Sequence, residues 1–373
     1  MSIGERPQAP IPPAVRFWSA EVGDGDALGG PLDWVRLPEG HPHDRWWTPR
    51  VTATLSGALR EHDPQLVILD QPWTHHALGL AAIAGRLRVL CMHNVEGALF
   101  EDLAQNADTR VPPALAQLVA QRSAAIEGRT VRSVDQLWAC SEPDAELLRL
   151  RYPDHAPLAI VPNAWPGAPA PLAERDLRTP LLLFIGTLGY SPNADAARWL
   201  AATLLPALCD AGLDARLRII GGNAPPSLAA VGPTDRVELA GEVADLEPHL
   251  AQAALAPVAL RVGSGTRFKI LEAFAAGVPV LSTAKGIEGI EATSGEHYLH
   301  AETLEEFVAA VCELCASPEL HARLARSAQE LLAARYSRAA LRETIAAALD
   351  GLESRSARTS SPSARRSSAR PAA

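Results

Sequence analysis

The sequence has no apolar run approaching the ~18 residues of a membrane-spanning helix. Its first residues, MSIGERPQAPIPPA, lack the apolar stretch of a secretory signal. It carries no excess of positive charge: 34 Lys and Arg stand against 43 Asp and Glu, a formal net charge of −9. The body therefore has no general attraction for nucleic acid, which removes that class of partner. Cysteine is scarce, with five scattered residues, an odd number that rules out a disulfide framework. Cys312 and Cys315 make one CxxC inside the helical run 304–315, and no second pair completes a zinc site. They read as thiols packed on a helix. These absences predict a cytoplasmic protein.

What is present is an ordinary globular chain in two parts. With 373 residues, 47% of them hydrophobic, two domains can each bury a core. In the C-terminal half, apolar runs at 181–185, 217–220, 237–240, 254–258 and 279–282 predict strands. Helical patterns at 194–208, 245–252 and 266–276 separate them. This alternation predicts a parallel sheet covered on both faces, with ligands beyond the carboxyl ends of the strands. Glycines at 186, 189, 221, 222, 241, 263 and 265 all fall on that rim. The N-terminal half alternates likewise, with strands at 66–70, 88–91, 136–140 and 158–161 and a helix over 113–133. A proline-rich stretch, 165–180, reads as the connection between halves. Helices are expected at 317–335 and 339–352, followed by an Arg- and Ser-rich tail, 354–373, expected to be disordered.

The stretch from Arg261 to Val280 carries the most chemistry. Gly263, Ser264 and Gly265 let a backbone approach a ligand closely, and Thr266 opens a helix that stops at Gly277. Such a helix start presents unpaired N–H groups to an anion. At about 100° per residue, Gly265, Lys269, Glu272 and Ala276 share one face, and Ile270, Leu271 and Phe274 take the other. A cation suited to phosphate and a carboxylate suited to a ribose diol thus point into one small-lined space. An amphipathic helix with a solvated Lys and Glu is the alternative reading.

Four segments in order resemble a known family: GTLGYSPNADAARWLAATLLPAL from Gly186, RLRIIGG, VELAGEVADLEPHLAQA, and GTRFKILEAFAAGVPVLSTAKGIEGI from Gly265. With MHNVE at 92–96 and VPNAW at 161–165, they resemble the GT-B-fold glycosyltransferases of family 4. The resemblance implies an α/β protein of two Rossmann-like domains whose parallel sheets face each other across a cleft. The parts would be an acceptor-side domain over 1–166, a nucleotide-sugar domain over 167–337, a helix over 338–353 crossing back, and the tail. It implies a hexosyl-type transferase that retains anomeric configuration, needs no obligatory metal or other cofactor, and serves polysaccharide or glycolipid assembly. Its partners would be a nucleotide sugar and a sugar or lipid-linked acceptor. The glutamate matching Glu272 would hold the ribose, and Arg267 and Lys269 the diphosphate. Gly186, Gly189, Tyr190, Asn193, Gly241, Gly265 and Thr266 would complete the donor site, and His93 would lie near the transferred sugar. Three positions depart from the family pattern. Ser264 stands where many members have the first of two glutamates, and Ala164 replaces a glycine. No first strand with a Gly-Gly loop is recognisable; the chain opens on a Pro-rich segment and a strand-like run at 15–21. A nucleotide-sugar epimerase of the same fold, or a non-catalytic binding protein, are the other readings.

Several signals are set aside. Asp24-Gly-Asp26 imitates a metal motif but sits in a Gly/Asp turn. His41, His43, His75 and His76 lack a third ligand at metal spacing and read as surface or cleft residues. Trp46, Trp47 and Trp73 read as packing, with stacking on a sugar as the alternative. Tyr190 and Asn193 either meet ligand or form a plain helix start, and Glu288 is a further candidate for the same cleft. The basic tail either contacts anionic lipid at the inner membrane face or is a solvated tail.

Overall fold

The computed structural model describes residues 2–3, 19–20, 32–37, 39–106, 112–229, 235–263, 265 and 267–360. Thr266, Ser264, Asp24-Gly-Asp26 and the last thirteen residues, 361–373, lie outside them. The chain divides into two compact units, one comprising Met1–Ala104, Val111–Ala139 and Asp144–Ile160, the other Gln105–Arg110, Cys140–Pro143 and Val161–Ala373.

In the first unit Ser2–Ile3 (β1) pairs in parallel with Ser19–Ala20 (β2). Ser19 and Ala20 are the described part of the strand expected at 15–21. The main sheet is built from Leu66–Asp70 (β3), Leu87–Met92 (β4), Gln136–Ala139 (β5) and Leu158–Ile160 (β6), in that order and all parallel. Every residue of β5 is buried, as a strand flanked on both sides and covered on both faces must be. Helices Pro49–His62 (α1), Glu96–Asn106 (α2), Pro113–Thr130 (α3) and Glu142–Arg151 (α4) complete the unit. The core gathers Leu90, Met92, Leu137, Ala139 and Leu148.

One polar group lies inside this unit. Glu127, on α3, is fully buried and accepts hydrogen bonds from the backbone N–H of Glu96 (2.7 Å) and Gly97 (3.2 Å) and from the Tyr152 hydroxyl (2.6 Å). Its carboxylate thus caps the start of α2, satisfying donors a helix N-terminus leaves open. Burial pushes its pKa up to about 7 against those hydrogen bonds. The loop from His93 to Glu96 is fixed at this capped end.

In the second unit Leu181–Ile185 (β7), Arg216–Ile220 (β8) and Val237–Gly241 (β9) form one parallel set, and Ala256–Val258 (β10), Val280–Ser282 (β11) and Leu299–His300 (β12) another. A parallel bridge between Leu182 and Leu255 joins β7 to β10. The order is therefore β9-β8-β7-β10-β11-β12, the doubly wound pattern that reverses direction between its first and fourth strands. Leu182, Leu183 and Phe184 are buried at its centre.

Helices here are Ser191–Trp199 (α5), Leu205–Asp210 (α6), Pro226–Ala229 (α7), Glu247–Gln252 (α8), Phe268–Ala275 (α9), Ala284–Ile287 (α10), Leu304–Ala316 (α11), Pro318–Arg335 (α12) and Arg338–Ser360 (α13). The single helix expected at 194–208 is interrupted by a π turn over Leu200–Leu204. Pro206 explains it: proline has no N–H and its ring displaces the carbonyl four residues back, so the turn widens. The last helix runs on to Ser360, into the segment expected to be disordered, because Arg355, Ala357 and Arg358 favour helix. Cys312 and Cys315 are free, partly buried thiols on α11.

The proline-rich stretch is strapped to this unit. Trp165 N–H donates to Tyr336 O (2.7 Å) and Ala170 N–H to Ala275 O (2.7 Å). The Arg175 guanidinium donates to Leu250 O (2.7 Å), Ala251 O (2.5 Å) and Ala276 O (2.7 Å). One cation thereby satisfies carbonyls at the C-terminal ends of both α8 and α9, where the helix dipoles favour positive charge.

Candidate functional site

Three loops leave the carboxyl ends of β7, β8 and β9 laced together by main-chain bonds. Gly186 N–H donates to Ile220 O (2.9 Å), Leu188 N–H to Gly222 O (2.9 Å), and Gly221 N–H to Gly241 O (2.8 Å). Such close backbone contact explains the glycines: a Cβ on Gly221 would collide with the Gly186 carbonyl. The β9 loop enters through an irregularity in register at Ile219 and Ile220, with Gly241 at a φ of 70°. From the fourth strand the chain turns through Gly263 (φ 114°) and Gly265 (φ 79°) into α9, whose N-cap is Arg267. Helix α9 buries Ile270, Leu271 and Phe274 and leaves Lys269, Glu272 and Ala276 partly open, as its periodicity predicts.

These loops and α9 enclose a cavity of about 550 Å³ at the point where the strand order reverses. Gly186, Tyr190, Asn193, Arg267, Lys269 and Glu272 line it. The volume is in the range of small-molecule sites. Its centre is a polar pair that the sequence separates widely: Lys269 Nζ donates to Asn193 Oδ1 at 2.6 Å. Asn193, itself buried, donates through Nδ2 to Thr187 O at 3.0 Å, so its amide is oriented by the β7 loop. Lys269 Nζ also lies 4.5 Å from the Phe184 ring centre. A Cβ on Gly186 would sit 2.8 Å from Asn193 Cγ and 2.9 Å from Lys269 Nζ, so only glycine leaves room for the pair.

Electrostatically the cavity favours an incoming anion. Burial, reinforced by the nearby Arg267 charge, lowers the Lys269 pKa to about 7, with Glu272 opposing. Burial raises the Glu272 pKa, and Lys269 partly offsets it. Arg267 is buried and donates to Gly265 O (3.0 Å) and Lys285 O (3.3 Å), which holds a fixed positive charge against the loop before α9.

Of the other expected donor residues, Gly189, Gly241 and Gly265 stand outside this lining among the described residues, and Thr266 is not described. Gly189 packs on Asn223, where a Cβ would meet Asn223 Cβ at 3.0 Å, and Gly241 anchors the β8 loop. Glu288 is paired with Lys285 at 2.7 Å. The lining also includes Thr187, Asn223, Glu242 and Phe268, which sequence reasoning did not single out. Asn223 carried a signal, since it follows two glycines and adopts a φ of 62°, a conformation asparagine tolerates.

His93 belongs to the first unit, in the loop after β4. Its Nε2 lies 2.8 Å from Asp70 Oδ1, at the end of β3. That hydrogen bond raises the His93 pKa and lowers that of Asp70. Asp70 is followed by Gln71 at a φ of 73°, an unusual backbone state beside the pair.

Two family models match the chain. Residues 12–164 match a glycosyl transferase 4-like domain, and residues 179–317 match glycosyl transferases group 1. A search of curated proteins found no significant match. Among solved structures, the chain is similar to sucrose-phosphate synthase from Thermosynechococcus elongatus (15% identity, TM-score 0.65, covering 82% of this chain and 78% of that one). It is similar to Anabaena HepE in complex with UDP (14%, 0.61, 82% and 83%). It is also similar to the pneumococcal O-GlcNAc transferase GtfA in complex with UDP and GlcNAc (13%, 0.58, 82% and 60%). At such identities the structural likeness speaks to fold, and the two family matches, one on each unit, speak to activity. The chain is a glycosyltransferase of the GT-B type.

Proposed function

We propose that this glycosyltransferase moves a hexose-type sugar from a nucleoside-diphosphate donor to an acceptor hydroxyl, with retention of anomeric configuration and no obligatory metal. The observation that carries the reading is the meeting of Lys269, Arg267 and three glycine loops in one cavity at the carboxyl edge of the parallel sheet. Breaking the sugar–phosphate bond leaves new negative charge on the departing diphosphate. A site that stabilises it with cations and N–H dipoles already in place lowers the barrier. Lys269 meets the diphosphate, Arg267 adds its field while holding the loop, and Glu272, deeper along α9, accepts from the ribose hydroxyls. His93 contacts the sugar, with Asp70 fixing which ring nitrogen remains free to do so. The UDP complexes of HepE and GtfA support a nucleotide donor for a protein of this fold. A sugar or lipid-linked acceptor and a role in surface polysaccharide or glycolipid assembly follow from the family resemblance, and a cytoplasmic site with the Arg-rich tail on anionic lipid would suit them.

The test is a thermal-melt panel of the full chain against UDP, GDP, dTDP and ADP, repeated for Glu272→Ala. A nucleotide at about 100 times its Kd adds roughly 2.7 kcal/mol, a shift of a few degrees. A shift with one base, lost in the variant, supports the donor site. No shift with any nucleotide refutes it. Anomeric analysis of the product then decides retention.

A further inference from the structure

Two short 3-10 segments of the first unit, Pro42–Trp46 and Pro72–Gly79, bring together side chains that are 31 and 32 positions apart. One ring nitrogen from each of His75 and His76 and a carboxylate oxygen of Asp44 all lie within 4.8 Å of one another, and all three residues are half-buried. The carboxylate is pinned before any ligand arrives: Asp44 Oδ2 accepts from His41 N–H at 2.7 Å, and Oδ1 meets His76 Nε2 at 2.9 Å. The rings are held as well. His76 stacks on Trp47 with centroids 5.4 Å apart, and His75 lies 4.0 Å from His76. A plain His–Asp hydrogen bond accounts for His76 and Asp44, and His75 adds a third donor atom within 4.8 Å of both without taking part in that bond. Nδ1 of His75 is sealed from solvent and faces the Pro72 carbonyl.

We infer that Asp44, His75 and His76 form a binding site for a transition-metal dication, zinc by its ligand set, which joins these two segments. Two imidazole nitrogens and one carboxylate oxygen are ligands that suit zinc, cobalt or nickel, whereas magnesium and calcium take mostly oxygen. Zinc–nitrogen bonds of about 2.0–2.1 Å put tetrahedral ligands about 3.3 Å apart. The ligand atoms lie within 4.8 Å of one another, so they need to close by at most about 1.5 Å, with the His76–Asp44 hydrogen bond replaced by two metal bonds. The His41–Asp44 hydrogen bond then serves as outer support of the kind that orients a ligating carboxylate. The ion ties the turn before α1 to the segment that follows Asp70, the last residue of β3, and Gln71. This inference stands on the three side chains and is independent of the donor-site reading.

The full chain, stripped with chelator and dialysed, is titrated with Zn²⁺ by calorimetry and melted with and without the ion. One zinc equivalent and a rise of a few degrees in Tm are expected. Affinity should fall at least tenfold in His76→Ala and in Asp44→Asn, and stay unchanged in Cys91→Ser and in the Cys312→Ser/Cys315→Ser double variant. Asp44→Asn keeps an oxygen for the His41 N–H, so its metal-free melt should match wild type even if His76→Ala folds poorly. No saturable zinc binding overturns the inference. So does binding that survives both Asp44→Asn and His76→Ala but disappears with the cysteines.

Discussion

Raising the pH from 7.5 to 9.5 should weaken nucleotide binding through Lys269 alone, and the size of the effect can be worked from the site. In the free protein the Lys269 pKa is lowered to about 7. At pH 8 a group of that pKa is therefore about nine-tenths neutral. A phosphate charge about 4 Å away, at an effective dielectric constant of about 20, contributes roughly 4 kcal/mol. That corresponds to about three pKa units, enough to return the bound lysine to about 10. The sign follows: the complex holds a proton that the free protein has lost, so binding takes up protons and affinity falls with rising pH. Uptake at pH 8 should be about 0.9 proton, and the affinity should drop toward tenfold per pH unit above pH 8. The assay is calorimetry at pH 8 in two buffers of different ionisation enthalpy, using the nucleoside diphosphate that gives the largest melting shift. At that pH the phosphate, with a pKa near 6, is already ionised and adds nothing. Lys269→Met should abolish the uptake, and Lys285→Met should keep it. Tight binding with no proton uptake, or with affinity flat across the range, would refute the reasoning.

Other consequences follow from groups already described. Gly186→Ala places a Cβ 2.8 Å from Asn193 Cγ and 2.9 Å from Lys269 Nζ, so nucleotide affinity should fall at least tenfold while Tm moves little; equal affinity would show the pair to be irrelevant. Arg175→Ala leaves three helix-end carbonyls without their donor and should cost about 2 kcal/mol, a few degrees in Tm, with nucleotide affinity unchanged within about twofold. The Glu127 pKa is raised from 4.5 to about 7 in the fold, so its protonated form is favoured there. Its contribution is complete below pH 4.5 and is lost as the pH rises through about 7. The Tm difference between wild type and Glu127→Gln should therefore decline by a few degrees from about pH 5 to pH 8. A flat difference would mean that Glu127 titrates elsewhere.

Much of the architecture was legible because the parallel strands are buried on both faces and read as continuous apolar runs. Leu181–Ile185 is such a run, with its three central residues buried. Leu66–Asp70 reads the same way, but at one end of its described sheet it leaves Ile68 half exposed. The face of α9 was legible for a similar reason, since a 3.6-residue period fixes which side chains point away from Ile270 and Phe274. What was hidden depends on tertiary approach. Asn193 and Lys269 are 76 positions apart, and nothing local says that one orients the other. Glu127 sits mid-helix like any solvated glutamate, and only the arrival of Glu96, Gly97 and Tyr152 gives it a role. His75 and His76 read as lacking a third ligand, because a donor such as Asp44, brought in by a second loop, leaves no fixed spacing. The proline-rich stretch looked like a free connection, and its bonds to Ala275 and Ala276 follow from where Arg175 and Ala170 land.

The desolvated lysine also has a chemical consequence. Lys269 and Lys285 are the two lysines of the chain, and Lys285 is held by Glu288 at 2.7 Å. An amine that is largely neutral just above pH 7 is a nucleophile under conditions where an ordinary lysine, titrating near 10.4, is almost wholly protonated. Acylating or carbonyl reagents at pH 7.5 should therefore modify Lys269 well ahead of Lys285. A ligand over the ammonium group should block that modification, so occupancy of the cavity becomes readable as protection of a single peptide in a mass spectrum.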